Sequence, residues 1–227
     1  MKKVLTFVLS ASLILSGCSS WSHLANGAVI GGGSGAALGA GLGAIIGKDG
    51  KSAAIGAAIG SVVGASAGTL IGNKMDKKAA ELAAIENAQV ETVKDANGLE
   101  AIKVTFSSGI LFKTNSATLS AESKESLKDF AAQMKDLPET DITIYGHTDN
   151  TGSDAVNEKL SLQRAESVSS FLSSCGIAKE RMTSEGKSYS MPVADNATAE
   201  GRSQNRRVEI YISANETMIQ QAQAGTL

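Results

Sequence analysis

The chain has 227 residues and a formal net charge of −2. That length fits one ordinary domain with accessory segments, and the charge balance supplies no basic face of the kind that nucleic-acid binding needs. Composition changes along the chain, because most of the 24 glycines lie between Gly27 and Gly72. The sequence therefore divides into an apolar, glycine-rich front part and a mixed, charged back part.

Residues 1–17 have the pattern of a signal peptide. Two lysines precede an apolar run, residues 4–15, that is too short to span a bilayer comfortably. The segment Leu15-Ser16-Gly17-Cys18 resembles a bacterial lipobox, in which the cysteine becomes the acylated first residue. An ordinary signal peptide with an accidental cysteine is the alternative.

Acylation of Cys18 would make residues 18–26 a lipidated tail, since two or three acyl chains anchor a protein stably where one is marginal. The residue after the cysteine is Ser19 rather than aspartate, which by the lipobox resemblance favours the outer membrane over the inner one. Cys175 then has no partner for a disulfide, and no metal cluster can form from cysteine. We expect Cys175 to be a structural residue.

Glycine recurs at every fourth position in residues 27–72, in two arms of roughly 20 residues without charge, about the length that spans a bilayer. The glycines of the two arms are Gly31, Gly35, Gly39, Gly43 and Gly47, then Gly56, Gly60, Gly64, Gly68 and Gly72. On a helix this period leaves a stripe without side chains that a second helix can approach closely. It predicts a membrane-embedded glycine-zipper hairpin that can self-associate; a compact spacer near the membrane surface is the alternative.

A linker helix is predicted from 73 to 89, because Met75, Leu82 and Ile85 recur there at helical spacing. After it, the Asn97-Gly98 pair between two β-prone runs, 90–94 and 99–106, signals a hairpin. We place a domain boundary near residue 90.

The back part alternates strands and helices. The predicted strands are 109–113, 141–145, 182–186 and 207–213, and the predicted helices run from Ser120 to Pro138 and from 154 to 175. This order predicts an α+β or α/β domain with helices packed on one sheet. Residues 214–227 are polar, and we expect a frayed tail there.

Four separated motifs carry a resemblance. They are "ILFKTNSATL" (110–119), "GHTDNTG" (146–152), "NEKLSLQRAESV" (157–168) and "AEGRSQNRRVEI" (199–210). In this order they resemble the peptidoglycan-binding OmpA C-terminal domain family, and with the lipobox and glycine arms the whole chain resembles the YiaD-type outer-membrane lipoproteins. The resemblance implies an α+β fold of βαβαβ type over residues 90–213, with helices on one mixed sheet.

The ligand that the resemblance implies is the diaminopimelate of the peptidoglycan stem peptide. Its side-chain end carries an ammonium and a carboxylate, so Asp149 is predicted to bind the first and the planar fork of Arg164 the second. The further binding residues that the resemblance implies are Asn115, Thr148, Asn157, Leu160 and Arg207.

Some of these residues have alternative interpretations. Asp149 and Arg164 can pair with each other, and Arg206 or Arg207 can pair with Glu209. Asn157 can hold the loop, and Leu160 can belong to the core. Lys113 follows Phe112 where the family often has an acid, which predicts weaker binding or a preference for a stem of different charge.

An enzyme is not expected. His147 and Asp149 lie close in sequence, but no paired carboxylates, Cys–His set or cofactor motif appears, and Ser184-x-x-Lys187 is a weak pattern on a predicted strand. The main hypothesis is a lipid-anchored tether in the periplasm between the outer membrane and the cell wall. The alternative is a self-assembling, pore-like membrane protein in which the glycine arms act and the back domain anchors it to the wall.

Overall fold

The computed structural model describes residues 63–113 and 115–227. The helices are α1 (Ala65–Leu82), α2 (Ser108–Leu111), α3 (Ala121–Gln133), α4 (Asp154–Ser174), α5 (Ala199–Asn205) and α6 (Glu216–Ala224). The strands are β1 (Ala88–Lys94), β2 (Glu100–Ser107), β3 (Thr140–Gly146), β4 (Met182–Gly186) and β5 (Arg207–Ala214). The predicted signal peptide, acylated Cys18, the first glycine arm and the second arm up to residue 62 lie outside these residues.

The strands form one mixed sheet in the order β1-β2-β5-β3-β4. The pairs β1/β2, β2/β5 and β5/β3 are antiparallel, and β3/β4 is parallel. The predicted hairpin is confirmed, since β1 and β2 pair around Asn97-Gly98. The α+β class with helices on one mixed sheet is also confirmed.

Alternation along the strands sends one set of side chains into the core. Ile142, Ile144, Val208, Ile210 and Ile212 are fully buried against helices, as the period of two in a strand requires. The predicted apolar face of α3 is buried as well, with Leu127 and Phe130 fully covered. Ser120 caps this helix as predicted, its hydroxyl accepting from the Ser123 amide at 3.0 Å.

Helix α1 crosses the limit that the sequence suggested at residue 72. It begins inside the second glycine arm and ends at Leu82, seven residues before the predicted end of the linker helix. Ala67 and Ile71, expected in the hairpin, are buried in the same core as Met75 and Leu82. Among the described residues no helix has the length and apolar character needed to cross a membrane.

Two local predictions were wrong. Residues 108–111 form helix α2 where a strand over 109–113 was expected, and only Phe112 makes an isolated bridge, to Leu119. The segment expected to fray holds α6, which starts at the Asn215 cap and buries Met218 and Ile219 against α1. Its buried apolar residues, Met218, Ile219 and Ala222, are too few among polar neighbours to predict a helix from the sequence.

Ile71 tests whether the end of the glycine ladder belongs to the folded domain. Changing Ile71→Ala removes a fully buried side chain, so we expect the free energy of unfolding to fall by about 2–5 kcal/mol. Thermal unfolding followed by circular dichroism measures it. Lys77→Ala, at an exposed position of the same helix, is the control, and equal melting of both variants would contradict the docking of α1.

Candidate functional site

The site is built where α4 touches the ends of β3 and β4. A Cβ added to Gly146 would lie 2.0 Å from the Ser161 carbonyl oxygen, and one added to Gly186 would lie 2.7 Å from the Leu162 amide nitrogen. No side chain larger than hydrogen fits at either place. The two glycines are partners in the parallel pair, so they let the helix backbone rest on the sheet and carry Arg164 to the strand end.

The loop after β3 is held by its backbone. The His147 amide donates to the Arg207 carbonyl at 2.9 Å, and the Thr148 amide donates to the Ser188 carbonyl at 2.9 Å. Asp149 Oδ1 then accepts from the Thr151 amide at 2.9 Å, a side-chain turn typical of aspartate in loops. Asn157 Nδ2 on α4 donates to the Thr151 carbonyl at 3.0 Å, so Asn157 holds the loop, as its alternative interpretation proposed.

Asp149 pairs with Arg206 rather than with Arg164. Arg206 Nη1 donates to Asp149 Oδ2 at 2.6 Å, and the aspartate side chain is 11% exposed. Burial acts to raise the pKa of Asp149, but the bonds from Arg206 and Thr151 outweigh it and leave that pKa below its ordinary value. The carboxylate is therefore charged at neutral pH, and the alternative interpretation in which Asp149 pairs with Arg164 is not the observed one.

Arg164 is buried and faces the loop that follows α2. Its Nε donates to the Ser116 carbonyl at 3.1 Å, and its guanidinium carbon lies 5.3 Å from the centroid of the Phe112 ring, within the range of a cation–π contact. Burial lowers the pKa of Arg164, and the nearby charge of Arg206 lowers it further. In the part of the chain that the structure describes, Arg164 has no ion pair.

These side chains surround a cavity of about 440 Å³. Six of the seven predicted binding residues line it: Asn115, Thr148, Asp149, Asn157, Leu160 and Arg164. The residues that sequence reasoning did not assign to the site include Phe112, Lys113, Arg202 and Arg206. Each of them had a signal in the sequence, since Phe112 and Lys113 lie in the motif of residues 110–119, and Arg202 and Arg206 lie in the motif of residues 199–210.

Arg207 does not line this cavity. Its Nε donates to Glu209 Oε1 at 2.7 Å, and its Nη2 donates to the Met191 carbonyl at 3.0 Å. The arginine and the glutamate are both buried. Arg207 therefore supports the loops behind the site, and the alternative interpretation in which it pairs with Glu209 is the observed one.

His147 lies in the same buried cluster and is 1% exposed. Its Nε2 is 3.5 Å from Glu209 Oε2, too long for a good hydrogen bond, so the contact is mainly electrostatic. Burial lowers the pKa of His147, more than Glu209 raises it. For Glu209, burial is outweighed by His147 and Arg207, and the pKa falls to about 2.

Thr148 presents a polar atom without a partner. The residue is 4% exposed and lines the cavity, and its hydroxyl makes no hydrogen bond to any described residue. A buried hydroxyl left unpaired costs about 1–3 kcal/mol. Such a group at the wall of a cavity is a natural donor or acceptor for a ligand.

Comparison with known proteins agrees with the architecture. The sequence matches the OmpA family over residues 111–206 and the YMGG-like Gly-zipper over residues 1–76. It is 36% identical to the probable lipoprotein YiaD of Escherichia coli over 224 residues, which cover 94% of this chain and 99% of that protein. The chain belongs to the YiaD-type family. In this family member a glycine zipper precedes an OmpA family domain.

Two further proteins match this chain over part of its length. The peptidoglycan-binding protein ArfA of Mycobacterium tuberculosis is 40% identical over 113 residues, 50% of this chain and 35% of that protein. The structure of the cell wall anchor of the T6SS from Pseudomonas aeruginosa superposes with a TM-score of 0.52 at 32% identity, covering 62% of this chain and 97% of that one. The OmpA family match over residues 111–206 includes most of the residues that line the cavity.

The buried cluster of His147, Arg207 and Glu209 predicts a dependence of stability on pH. The folded-state pKa of Glu209, about 2, lies below its ordinary 4.5, so its stabilising effect is complete above pH 4.5 and is lost as pH falls towards 2. The loss is about 3 kcal/mol. We expect Glu209→Gln to melt at a lower temperature than wild type at pH 7 and to lose less stability between pH 5 and pH 2.5.

Calorimetric scans over that range measure the difference. Glu125→Gln, at an exposed position on α3, is the control and is expected to follow wild type. Parallel curves for wild type and Glu209→Gln would show that Glu209 is not the titrating group.

Proposed function

We propose that this chain is a lipid-anchored outer-membrane protein that binds peptidoglycan non-covalently and so tethers the outer membrane to the cell wall. The observation that carries the proposal is the cavity in which the Asp149 carboxylate and the Arg164 guanidinium lie with the buried, unpaired Thr148 hydroxyl. The ArfA relative and the cell wall anchor of similar fold support the wall as the partner.

The charges of the cavity suit the side-chain end of diaminopimelate, which carries an ammonium and a carboxylate. Asp149 already accepts from Thr151 and Arg206, but a carboxylate has about four lone-pair sites, which leaves room for an ammonium. Arg164 uses Nε for Ser116, and the guanidinium has further N–H donors for a carboxylate. The Thr148 hydroxyl adds a hydrogen bond from the wall of the cavity.

Retention on purified peptidoglycan tests the site. Losing Asp149 or Arg164 leaves the opposite charge of the bound ligand unpaired, so Asp149→Ala and Arg164→Ala should each weaken binding by about 2–5 kcal/mol, and both should wash off a peptidoglycan pellet that retains wild type. Thr148→Val should also bind more weakly but fold at least as stably, since it removes an unpaired buried hydroxyl.

The controls come from an exposed ion pair on α3. Glu125 and Lys128 lie 3.7 Å apart with side chains 75% and 66% exposed, so their alanine variants should stay on the pellet like wild type. Thermal unfolding of each variant separates lost binding from lost folding. Equal retention of wild type, Asp149→Ala and Arg164→Ala would reject the site.

The membrane end of the tether rests on Cys18. The segment before it resembles a lipobox, and the family relative from Escherichia coli is a probable lipoprotein. We infer removal of residues 1–17, acylation of Cys18 and placement of the OmpA family domain in the periplasm.

Metabolic labelling with radioactive palmitate measures the acylation. The chain has two cysteines, Cys18 and Cys175, so each serves as the control for the other. We expect Cys18→Ala to lose the label and Cys175→Ala to keep it, since Cys175 packs beside the core at the end of α4. Label retained in Cys18→Ala would contradict acylation at this position.

A further inference from the structure

The cavity holds more positive than negative charge. Its lining includes the four cationic side chains of Lys113, Arg164, Arg202 and Arg206, but Asp149 is its one carboxylate. A single zwitterion brings one ammonium and one carboxylate, so it would leave this excess unchanged. The charge of the lining therefore says more about the ligand than the Asp149 and Arg164 pair alone does.

Asp149 cannot neutralise the excess. It is already engaged with Arg206 at 2.6 Å, and within residues 63–113 and 115–227 neither Lys113, Arg164 nor Arg202 has an ion pair. Arg206 and Arg164 also repel each other, as the effect of Arg206 on the pKa of Arg164 shows. A second anion in the cavity would relieve this repulsion and pair the remaining cations.

The guanidinium of Arg202 is positioned to bind a second anion. Its Nη1 donates to the carbonyls of Asn196 and Ala197, at 2.9 and 3.1 Å, which fixes the guanidinium at the rim while other N–H donors remain. It precedes Arg206 by four residues, and the Arg206 amide donates to its carbonyl at 3.1 Å. Lys113, exposed after α2, lies in the same lining.

We propose that the cavity selects a stem peptide with at least two free carboxylates, one bound by Arg164 and the second by Lys113 and Arg202. This inference rests on the proposed function. In a stem peptide the second carboxylate is the α-carboxyl of the γ-linked D-glutamate next to diaminopimelate, and cells that amidate it remove its charge. Lys113 and Arg202 thereby determine which form of the wall is bound.

Calorimetric titration with synthetic peptides tests the selectivity. The probe is L-Ala-γ-D-Glu-meso-diaminopimelate-D-Ala with an amidated C-terminus, compared with the same peptide carrying a D-glutamate α-carboxamide. Wild type should bind the free form at least about fivefold more tightly, the size of one partly exposed ion pair. Lys113→Gln combined with Arg202→Gln should bring the ratio close to one.

Charge-preserving variants are the matched controls. Lys113→Arg and Arg202→Lys should keep the wild-type ratio, and Lys113→Gln alone should reduce it without touching the turn that Arg202 holds. Equal binding of both peptides by wild type would overturn the selectivity and leave the proposed function standing. Failure of wild type to bind either peptide would overturn both.

Discussion

The functional geometry depends on one close contact between backbones. The carbonyl of Ser161 on α4 rests where a side chain on Gly146 would be, and the same turn of helix rests on Gly186. Because β3 and β4 are parallel and end together at these glycines, one helix covers both strand ends. Arg164, one turn further along α4, then lines the same cavity as Asp149. Any β-carbon at either glycine would push the helix away and separate the two charged groups.

Two consecutive arginines at the start of β5 have different acidic partners. Arg206, the residue before β5, pairs with Asp149, whereas Arg207, the first residue of β5, pairs with Glu209. The first arginine binds the one carboxylate that lines the cavity. The second, with Glu209 and His147, forms the buried polar layer that supports the loops behind it. The buried Glu209 carboxylate is tolerated because the charged guanidinium of Arg207 lies 2.7 Å away.

The glycine-rich part and the charged part of the chain meet inside one core. Helix α1 starts in the second glycine arm, and its buried face packs against the sheet and α6. Gly64, the cap residue before α1, and Gly68 within it have no atom of a described residue within 4 Å of an added Cβ. The end of the zipper is thus fastened to the OmpA family domain by packing, and residues 73–82 are not a separate linker.

Sequence patterns were sufficient for the strands and longer helices, because their hydrophobic periods are local. The β1/β2 hairpin, α3, β3, α4 and β5 all lie close to where periodicity and turn residues placed them. The predictions for residues 108–111 and 216–224 were wrong because each segment is short. Its secondary structure depends on contacts with residues distant in the sequence. All seven candidate site residues followed from the resemblance of the motifs, and six of them line the cavity.

By itself the sequence determined the fold class, the family and the residues of the loop around Asp149, since these depend on order and spacing along the chain. Only the tertiary structure decided that Asp149 pairs with Arg206, that Arg207 faces away and that Lys113 and Arg202 share the cavity. Those side chains come from elements far apart in sequence. Their partners depend on how the helices settle on the sheet, and no local pattern records that packing.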